Sequence, residues 1–487
     1  MQDARDILQQ IAARAMIDYG LQPELLPDAL AEARQLRDAS VSGLRDLRDL
    51  PWSSIDNDES RDLDQLEVVV EEGGGARLLI AIADVDSLVE KGSALDDHAR
   101  ANTTSVYTTA RIFPMLPEAL STDRTSLNED EDRPALVVDM RIGEAGQVDG
   151  PALYRAAVRN HAKLTYSAVA GWLDGERPAP HALGRVHGLE HQVRTQDRLA
   201  TVLRARREQE GALDFERTEI KPIMGDGTVK ELRVEASNRA RDMIESFMIA
   251  ANGATARFLT SHGWASIRRV VRAPQRWPRI VEIAAGHGTA LPEAPDARAL
   301  EQFLRRHRKA APETFSDLSL SILKLLGRGE YIADGPGGAE GGHFALAESN
   351  YTHSTAPNRR FPDLVTQRLV KGALAGTTAP YTLAELTPLA EHCTKQEDAA
   401  NKVERRVRKS AAALWLSNRI GQEFPAVVTG ASSKGTWVRI LHPPVEGKLE
   451  RGFEGLDVGH RLRVRLADTD VHKGFVDFVR VPTGAGR

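Results

Sequence analysis

A run of carboxylates leads straight into an apolar hairpin, and this junction constrains the fold more than any other stretch of the 487 residues. The segment Ile55-Asp-Asn-Asp-Glu-Ser-Arg-Asp-Leu-Asp-Gln-Leu-Glu67 carries six acidic groups in thirteen positions: Asp56, Asp58, Glu59, Asp62, Asp64 and Glu67. Residues 66–70 and 78–83 read as two strands turned at Gly73-Gly74-Gly75, and a sheet core would bury them. Charge beside low dielectric is costly unless it is paired or holds a metal ion. Asp62 and Asp64 are two apart, so in extended chain they project to one side, with Asp56 close enough to fold back onto them. Such oxygens suit a hard divalent cation, magnesium above all, with water and a substrate phosphate completing the octahedron. A solvated acidic loop fits the spacing equally well.

Apolar residues make up 41% of the chain, enough for a sizeable core. The length predicts roughly two to four domains. No apolar run is long enough to span a bilayer, and the polar start, Met1-Gln-Asp-Ala-Arg-Asp6, is not a secretory signal. Cys393 is the sole cysteine, which excludes an internal disulfide and a thiolate cluster and fits a reducing, cytoplasmic setting. The net charge of -5 announces no nucleic-acid partner, but its distribution is uneven. Residues 402–409 carry five basic groups against Glu404; Arg204-Ala-Arg-Arg207 and Arg268-Arg-Val-Val-Arg272 are basic too. An acidic centre among basic patches suits an enzyme that grips a polyanion and binds metal at one point. Each patch taken singly reads as a solvated helix face.

Residues 1–40 form a small helical module. Apolar spacing predicts a helix over 4–19, a break at Gly20-Leu-Gln-Pro-Glu24, and a second helix over 26–36. This outline matches a helix-turn-helix that touches nucleic acid and equally a packing appendage. Residues 41 to about 375 alternate strands and helices, within a mixed α/β catalytic domain of residues 41–420 with helices around a central sheet. Long helices are expected over 189–208, 240–259 and 380–421, and Asp84 with Ser87 is placed to cap a short helix. Residues 284–345 carry Gly- and Pro-rich loops, Gly335-Pro-Gly-Gly338 among them. Residues 421–487 change character: short alternating strands near 426–430, 436–441, 462–466 and 474–479 predict a small β-barrel of OB type. There Trp437, Phe453, Phe475 and Phe478 are candidates to stack on bases and Arg439, Arg461, Arg463 and Arg465 to meet phosphates, with some of the aromatics needed for the barrel core.

Seven segments then fall in a recognisable order. They are Ser53-Ser-Ile-Asp56 through Asp64, Leu79-Ile-Ala-Ile-Ala-Asp-Val-Asp86, Gly92-Ser-Ala-Leu-Asp96, Thr104-Ser-Val-Tyr-Thr-Thr-Ala-Arg-Ile-Phe-Pro-Met-Leu-Pro-Glu118, Gly211-Ala-Leu-Asp-Phe215, Met243-Ile-Glu-Ser-Phe-Met-Ile-Ala-Ala-Asn252 and Tyr351-Thr-His-Ser-Thr-Ala-Pro-Asn-Arg-Arg-Phe-Pro-Asp-Leu364. Over residues 41–410 the chain resembles the catalytic domain of the ribonuclease II and ribonuclease R family of exoribonucleases. Its terminal barrel resembles their S1-type OB domain.

The resemblance implies processive 3′-to-5′ hydrolysis of single-stranded RNA, with release of nucleoside 5′-monophosphates and the help of magnesium; two ions would activate the attacking water and neutralise the leaving oxygen, and the expected enzyme is a cytoplasmic monomer. It implies that Asp56, Asp62 and Asp64 hold metal and that Asp64 and Arg359 carry the chemistry. It also implies that Tyr107 packs on the terminal nucleotide, and that Glu245, Arg359 and Glu404 contact RNA. On residue type alone, Tyr107 fills the core beside Phe113 equally well. The chain also departs from the pattern. The family's fourth aspartate is Gln65 here, an amide that brings no charge to a second cation. Ala81 replaces a histidine found in some members, and Ala356-Pro-Asn-Arg359 stands for Ser-Pro-Ile-Arg. Residues 1–40 stand where cold-shock domains commonly precede the catalytic domain. The alternative reading, from Gln65, is an RNA-binding protein of the same fold with lost or reduced catalysis.

Overall fold

A computed structural model of the chain describes residues 3–73, 75–215, 218–225, 227–336 and 342–482. Gly74 of the expected hairpin turn, and Gly337 and Gly338 of the Gly/Pro-rich loop, lie outside them. Two helices come first, α1 (Ala4–Asp18) and α2 (Pro27–Gln35). Asp3 caps α1 by accepting the Arg5 N–H, and Pro27 opens α2 where a missing N–H costs nothing. Then follow β1 (Arg45–Asp46), β2 (Ser53–Asp56), β3 (Gln65–Glu72), β4 (Gly75–Ala83), α3 (Ala94–Asn102), the short pair β5 (Val106–Tyr107) and β6 (Ile112–Phe113), and β7 (Asp132–Gly143), β8 (Val148–Arg159) and β9 (Ala162–Thr165).

Seven of these strands make one mixed sheet in the order β1-β8-β7-β4-β3-β2-β9, parallel only at its two edges, β1 on β8 and β9 on β2. The central strand β4 is buried from Leu78 to Ala83 because both faces are covered, which explains its unbroken apolar run. Burying Leu78, Ile80 and Ile82 contributes about 1.5–3 kcal/mol each.

Helices α4 (Tyr166–Leu173), α5 (His181–Arg185) and α6 (Leu189–Glu210) come next, then the hairpin β10 (Thr218–Gly225) and β11 (Thr228–Ala236), and α7 (Arg239–Ser261). Of these, α4 and α7 lie on β2 and α6 on β3. After β12 (Ser266–Val270) come α8 (Trp277–Gly286), α9 (Ala297–Ala310), α10 (Pro312–Leu326) and β13 (Glu330–Asp334), which pairs with β12. The Gly/Pro-rich region thus holds two helices, α9 and α10, around a core of Phe303, Leu304, Phe315 and Ile322. Then come α11 (Phe361–Leu374) and α12 (Leu383–Leu416). A reciprocal cap starts α12: Glu385 N–H donates to Thr382 Oγ1, and Glu385 Oε2 accepts the Thr382 N–H.

The C-terminal strands β14 (Glu423–Ser432), β15 (Gly435–Ile440), β16 (Glu446–Arg451), β17 (Arg461–Asp470) and β18 (Phe475–Arg480) close into a five-stranded barrel. Phe478 fills its core, whereas Phe453 and Phe475 are exposed and Trp437 is half-buried. Arg439 pairs with Asp317, and Arg463 and Arg465 with Glu423.

The two N-terminal helices pack on different neighbours, α1 on α12 and α2 on α3. A helix-turn-helix packs its helices on each other, so the outline seen in the sequence resolves as two packing elements. The apolar face of α1, Leu8, Ile11, Ala15 and Met16, joins one cluster with Val106 and Phe113 of the β5–β6 hairpin and Val403 and Val407 of α12. Gln9 Nε2 donates to the Ala110 carbonyl, and Arg111 pairs with Glu24. The basic runs are largely paired as well. Arg268 is internal, donating to Asp334, the Ala256 carbonyl and Thr260; Arg269 pairs with Glu397, Arg272 with Glu330 and Arg406 with Asp18. Asp84 ends β4 as expected but does not cap the turn after it, because its carboxylate is taken by Arg155 and Lys371.

Candidate active site

Segments far apart in sequence meet at a cleft of about 820 Å³. The loop between β2 and β3 brings Asp56, Ser60 and Asp62, β5 brings Tyr107, and the turn before α11 brings Arg359. Asp56 is held at the end of β2 by three donors on Oδ1, the Asn57 N–H at 2.7 Å, Ser60 Oγ at 3.0 Å and Asn57 Nδ2 at 3.4 Å. Residues 61–64 are not strand, so Asp62 and Asp64 diverge rather than share one face. Asp62 Oδ2 accepts the Tyr107 hydroxyl at 2.6 Å. Asp64, only 2% exposed, turns inward, where Oδ1 accepts the Asn358 N–H at 2.9 Å. Its Oδ2 lies 3.4 Å from Arg359 Nε and has no hydrogen-bond partner among the described residues.

Burial pushes the Asp64 carboxyl up to about 7 and raises that of Asp56, in each case against the pull of Arg359. Desolvation within the cleft works against charge on Arg359, but Tyr107, Asp64, Asp62 and Asp56 around it outweigh that and hold it charged. The same enclosure, with Asp62 beside it, keeps Tyr107 protonated.

Tyr107 is 38% exposed and does not join the core beside Phe113. Its backbone N–H donates to Glu404 Oε1 at 3.0 Å, so Glu404, on α12, seats the tyrosine hairpin and stands apart from the cleft lining. Glu245 projects from α7 into the cleft wall. Gln65 starts β3 and is buried, 8% exposed.

Several cleft residues escape a reading of the sequence. Tyr166 lines the cleft because β9 runs parallel to β2 and pairs Thr165 with Asp56, leaving the next residue beside that carboxylate. Arg241 donates to Asn57 Oδ1 at 2.7 Å and lies 5.2 Å from the Tyr166 ring centre. Arg308 and Phe315 arrive from α9 and α10. Only the parallel pairing and the helical insertion bring these groups here, and neither has a local signal.

The donors at the cleft floor are carboxylate oxygens, the set a hard cation takes, and the orphaned Asp64 Oδ2 offers a buried lone pair for one. The residues therefore fit magnesium in chemistry. Among the described residues no three acidic, histidine or cysteine side chains already converge on one point, so the carboxylates would have to draw together around the ion.

The model of the RNB domain matches residues 44–376. The chain belongs to the RNB family. Residues 422–481 of this RNB chain match the C-terminal S1 domain of RNase II-type exonucleases. It is similar to ribonuclease R of Escherichia coli, 30% identical over 468 residues that cover 90% of this chain and 56% of that one. The chain thus spans about half the length of that curated relative. Among solved structures it shares its fold with Mycoplasma genitalium RNase R in complex with ribose-methylated single-stranded RNA, at a TM-score of 0.88 and 23% identity, over 98% of this chain and 78% of that one. It also shares it with yeast Ssd1, a pseudonuclease, at a TM-score of 0.70 and 17% identity, over 91% and 55% of the two chains. Among the described residues, no helix is long and apolar enough to cross a membrane.

Proposed function

We propose that this RNB chain is a magnesium-dependent exoribonuclease that removes nucleoside 5′-monophosphates from the 3′ end of single-stranded RNA. The observation that carries this reading is that Asp56, Asp62, Tyr107 and Arg359 line one cleft, with Asp64 buried behind Arg359. Magnesium held by Asp56, Asp62 and Asp64 would lower the pKa of the attacking water and neutralise the leaving 3′ oxygen. The planar fork of Arg359 is suited to clamp a non-bridging oxygen of the scissile phosphate as charge builds there. Tyr107, fixed through its hydroxyl on Asp62 and its backbone on Glu404, offers a ring on which the terminal base stacks. Glu245 is placed to sense a ribose 2′-hydroxyl, which separates RNA from DNA. Arg204, Arg241 and Arg308 line the walls where backbone phosphates would pass.

End-labelled single-stranded RNA, digested with and without magnesium and resolved by length, tests this. A label at the 5′ end is expected to shorten one nucleotide at a time, with mononucleotides as the released product and no digestion in EDTA. Internal fragments, or equal digestion in EDTA, would overturn it.

Gln65 favours a second reading, an RNA-binding protein with lost or reduced catalysis, and this fold is also that of yeast Ssd1, a pseudonuclease. Gln65→Asp separates the two. A large rise in rate marks a crippled site, and little change marks a working one.

A further inference from the structure

Glu67 is a buried group to which this reading gives no role. It lies in β3, is 0% exposed, and neither carboxyl oxygen has a hydrogen-bond partner among the described residues. Every other buried carboxylate among them has a partner. Asp84 has Arg155 and Lys371, Asp96 has Arg368, Asp139 has Arg77, Asp197 has Arg239, Glu301 has Arg305, Asp363 has Arg360, and Asp64 has the Asn358 N–H. Directly across the β2–β3 pairing stands Ser53, whose Oγ is also buried and unpartnered. Two carboxyl oxygens and a serine hydroxyl therefore share a buried spot, and none of the three makes a side-chain hydrogen bond to a described residue. The Ser53 hydroxyl can turn to one carboxyl oxygen, which leaves the other short of a proton or a cation.

The position points towards the cleft. Strand alternation puts Gln65, Glu67 and Glu71 on one face of β3. Glu71 meets His191 and Thr195 of α6, so this is the face covered by the helices that wall the cleft. Asp56 is the charged group that bears on Glu67, and Tyr166 in the cleft lining feels both carboxylates. Gln65 and Glu67 are separated by about 7 Å along the strand, a distance a glutamate leaning along the sheet can largely cover.

We propose that Glu67 supplies the cation site with the carboxylate that position 65 lacks, delivered from one pleat further along the same face of β3. The proposal rests on the magnesium reading above. Carboxylate ligands then come from Asp56, Asp62, Asp64 and Glu67, and Gln65 becomes a neutral neighbour of the site.

The test counts cation sites without RNA and without turnover. Mn2+ binding is measured by isothermal titration and by the EPR signal of free Mn2+, on the full chain stripped of metal, for wild type, Glu67→Gln, Gln65→Asp and the double variant. Glu67→Gln keeps size and shape, and its melting temperature in EDTA reports folding. The expected result is that Glu67→Gln weakens Mn2+ binding by about ten-fold or more and that Gln65→Asp restores it in the double variant. Equal Mn2+ binding by wild type and Glu67→Gln overturns the role of Glu67 while leaving the cation site intact. No Mn2+ binding by wild type overturns the magnesium reading itself. Should Glu67→Gln not fold, Gln65→Asp alone decides: Mn2+ affinity and stoichiometry equal to wild type support a site already supplied by Glu67, and an added or much tighter Mn2+ site overturns it.

Discussion

Asp64 and Asp84 sit at the same end of the same hairpin, one residue before β3 and one residue after β4, and are almost equally buried at 2% and 3% exposed. Their surroundings are opposite. Asp84 gives one oxygen to Arg155, at 2.8 Å, and the other to Lys371, also at 2.8 Å. Lys371 continues to Asp86, and Arg368 joins Asp86 to Asp96, so a closed charge network ties α11 to the sheet. Asp64 has one backbone donor, a long contact to Arg359 and an oxygen with no hydrogen bond among the described residues. A satisfied buried carboxylate holds the fold together, whereas an under-satisfied one holds free energy in reserve for a ligand or a proton.

The largest effect expected from breaking this contrast is on catalysis. Asp64→Asn should lower the rate of mononucleotide release by about 10³-fold or more, with RNA affinity in a gel-shift assay nearly unchanged. The next is a pH effect in metal-stripped protein. The Asp64 carboxyl is raised to about 7 in the folded chain by burial, against about 3.9 when unfolded. The native state therefore binds that proton more tightly, and stability should fall as pH rises from about 4 to about 7, then level off. Relative to Asp64→Asn the wild type should lose up to about 4 kcal/mol across that window in urea unfolding. A flat difference would remove the contrast with Asp84.

Asp84→Ala should act the other way, with stability lost and chemistry kept. It strands Arg155 and half of the Lys371 pairing and should cost about 3 kcal/mol, the lower end for a broken buried pair because Arg155 is partly exposed. RNA digestion below the lowered melting temperature should remain near wild type. The smallest effect belongs to the hydroxyl that reaches Asp62. Tyr107→Phe keeps the ring and removes one hydrogen bond, so activity should fall by about ten-fold or less. Tyr107→Ala should cost about 1–3 kcal/mol of RNA affinity and change the length of the final product.

The hairpin, the long helices, the barrel and the central carboxylates were legible because periodicity, spacing and ordered motifs are local. The failures share one cause, which is partners remote in sequence. Asp84 satisfies the local pattern for a cap, yet Arg155 and Lys371 claim it from afar. Asp62 and Asp64 satisfy the pattern for one shared face, yet Tyr107 and Asn358 draw them apart. Glu404 reads in the sequence as an RNA contact, and nothing local marks it as the acceptor that seats Tyr107. Tyr166 depends on a parallel pairing of β9 with β2 that no run of residues announces. Glu67 looked like one acid among six, and only its burial sets it apart.

The margins of the sheet carry a consequence of their own. Its central strands are as sticky as any in the molecule, yet the sheet ends in β1, two residues long, and β9, four residues long. Both edge strands lie parallel to their neighbours, and the C-terminal strands leave no margin because they close on themselves. The barrel and the β9 margin offer a foreign strand little ladder, but β1 covers only Ala156 and Ala157 of the twelve-residue β8. If crowded chains of this protein zip together through the sheet that holds its core, the outer edge of β8 is where they would start.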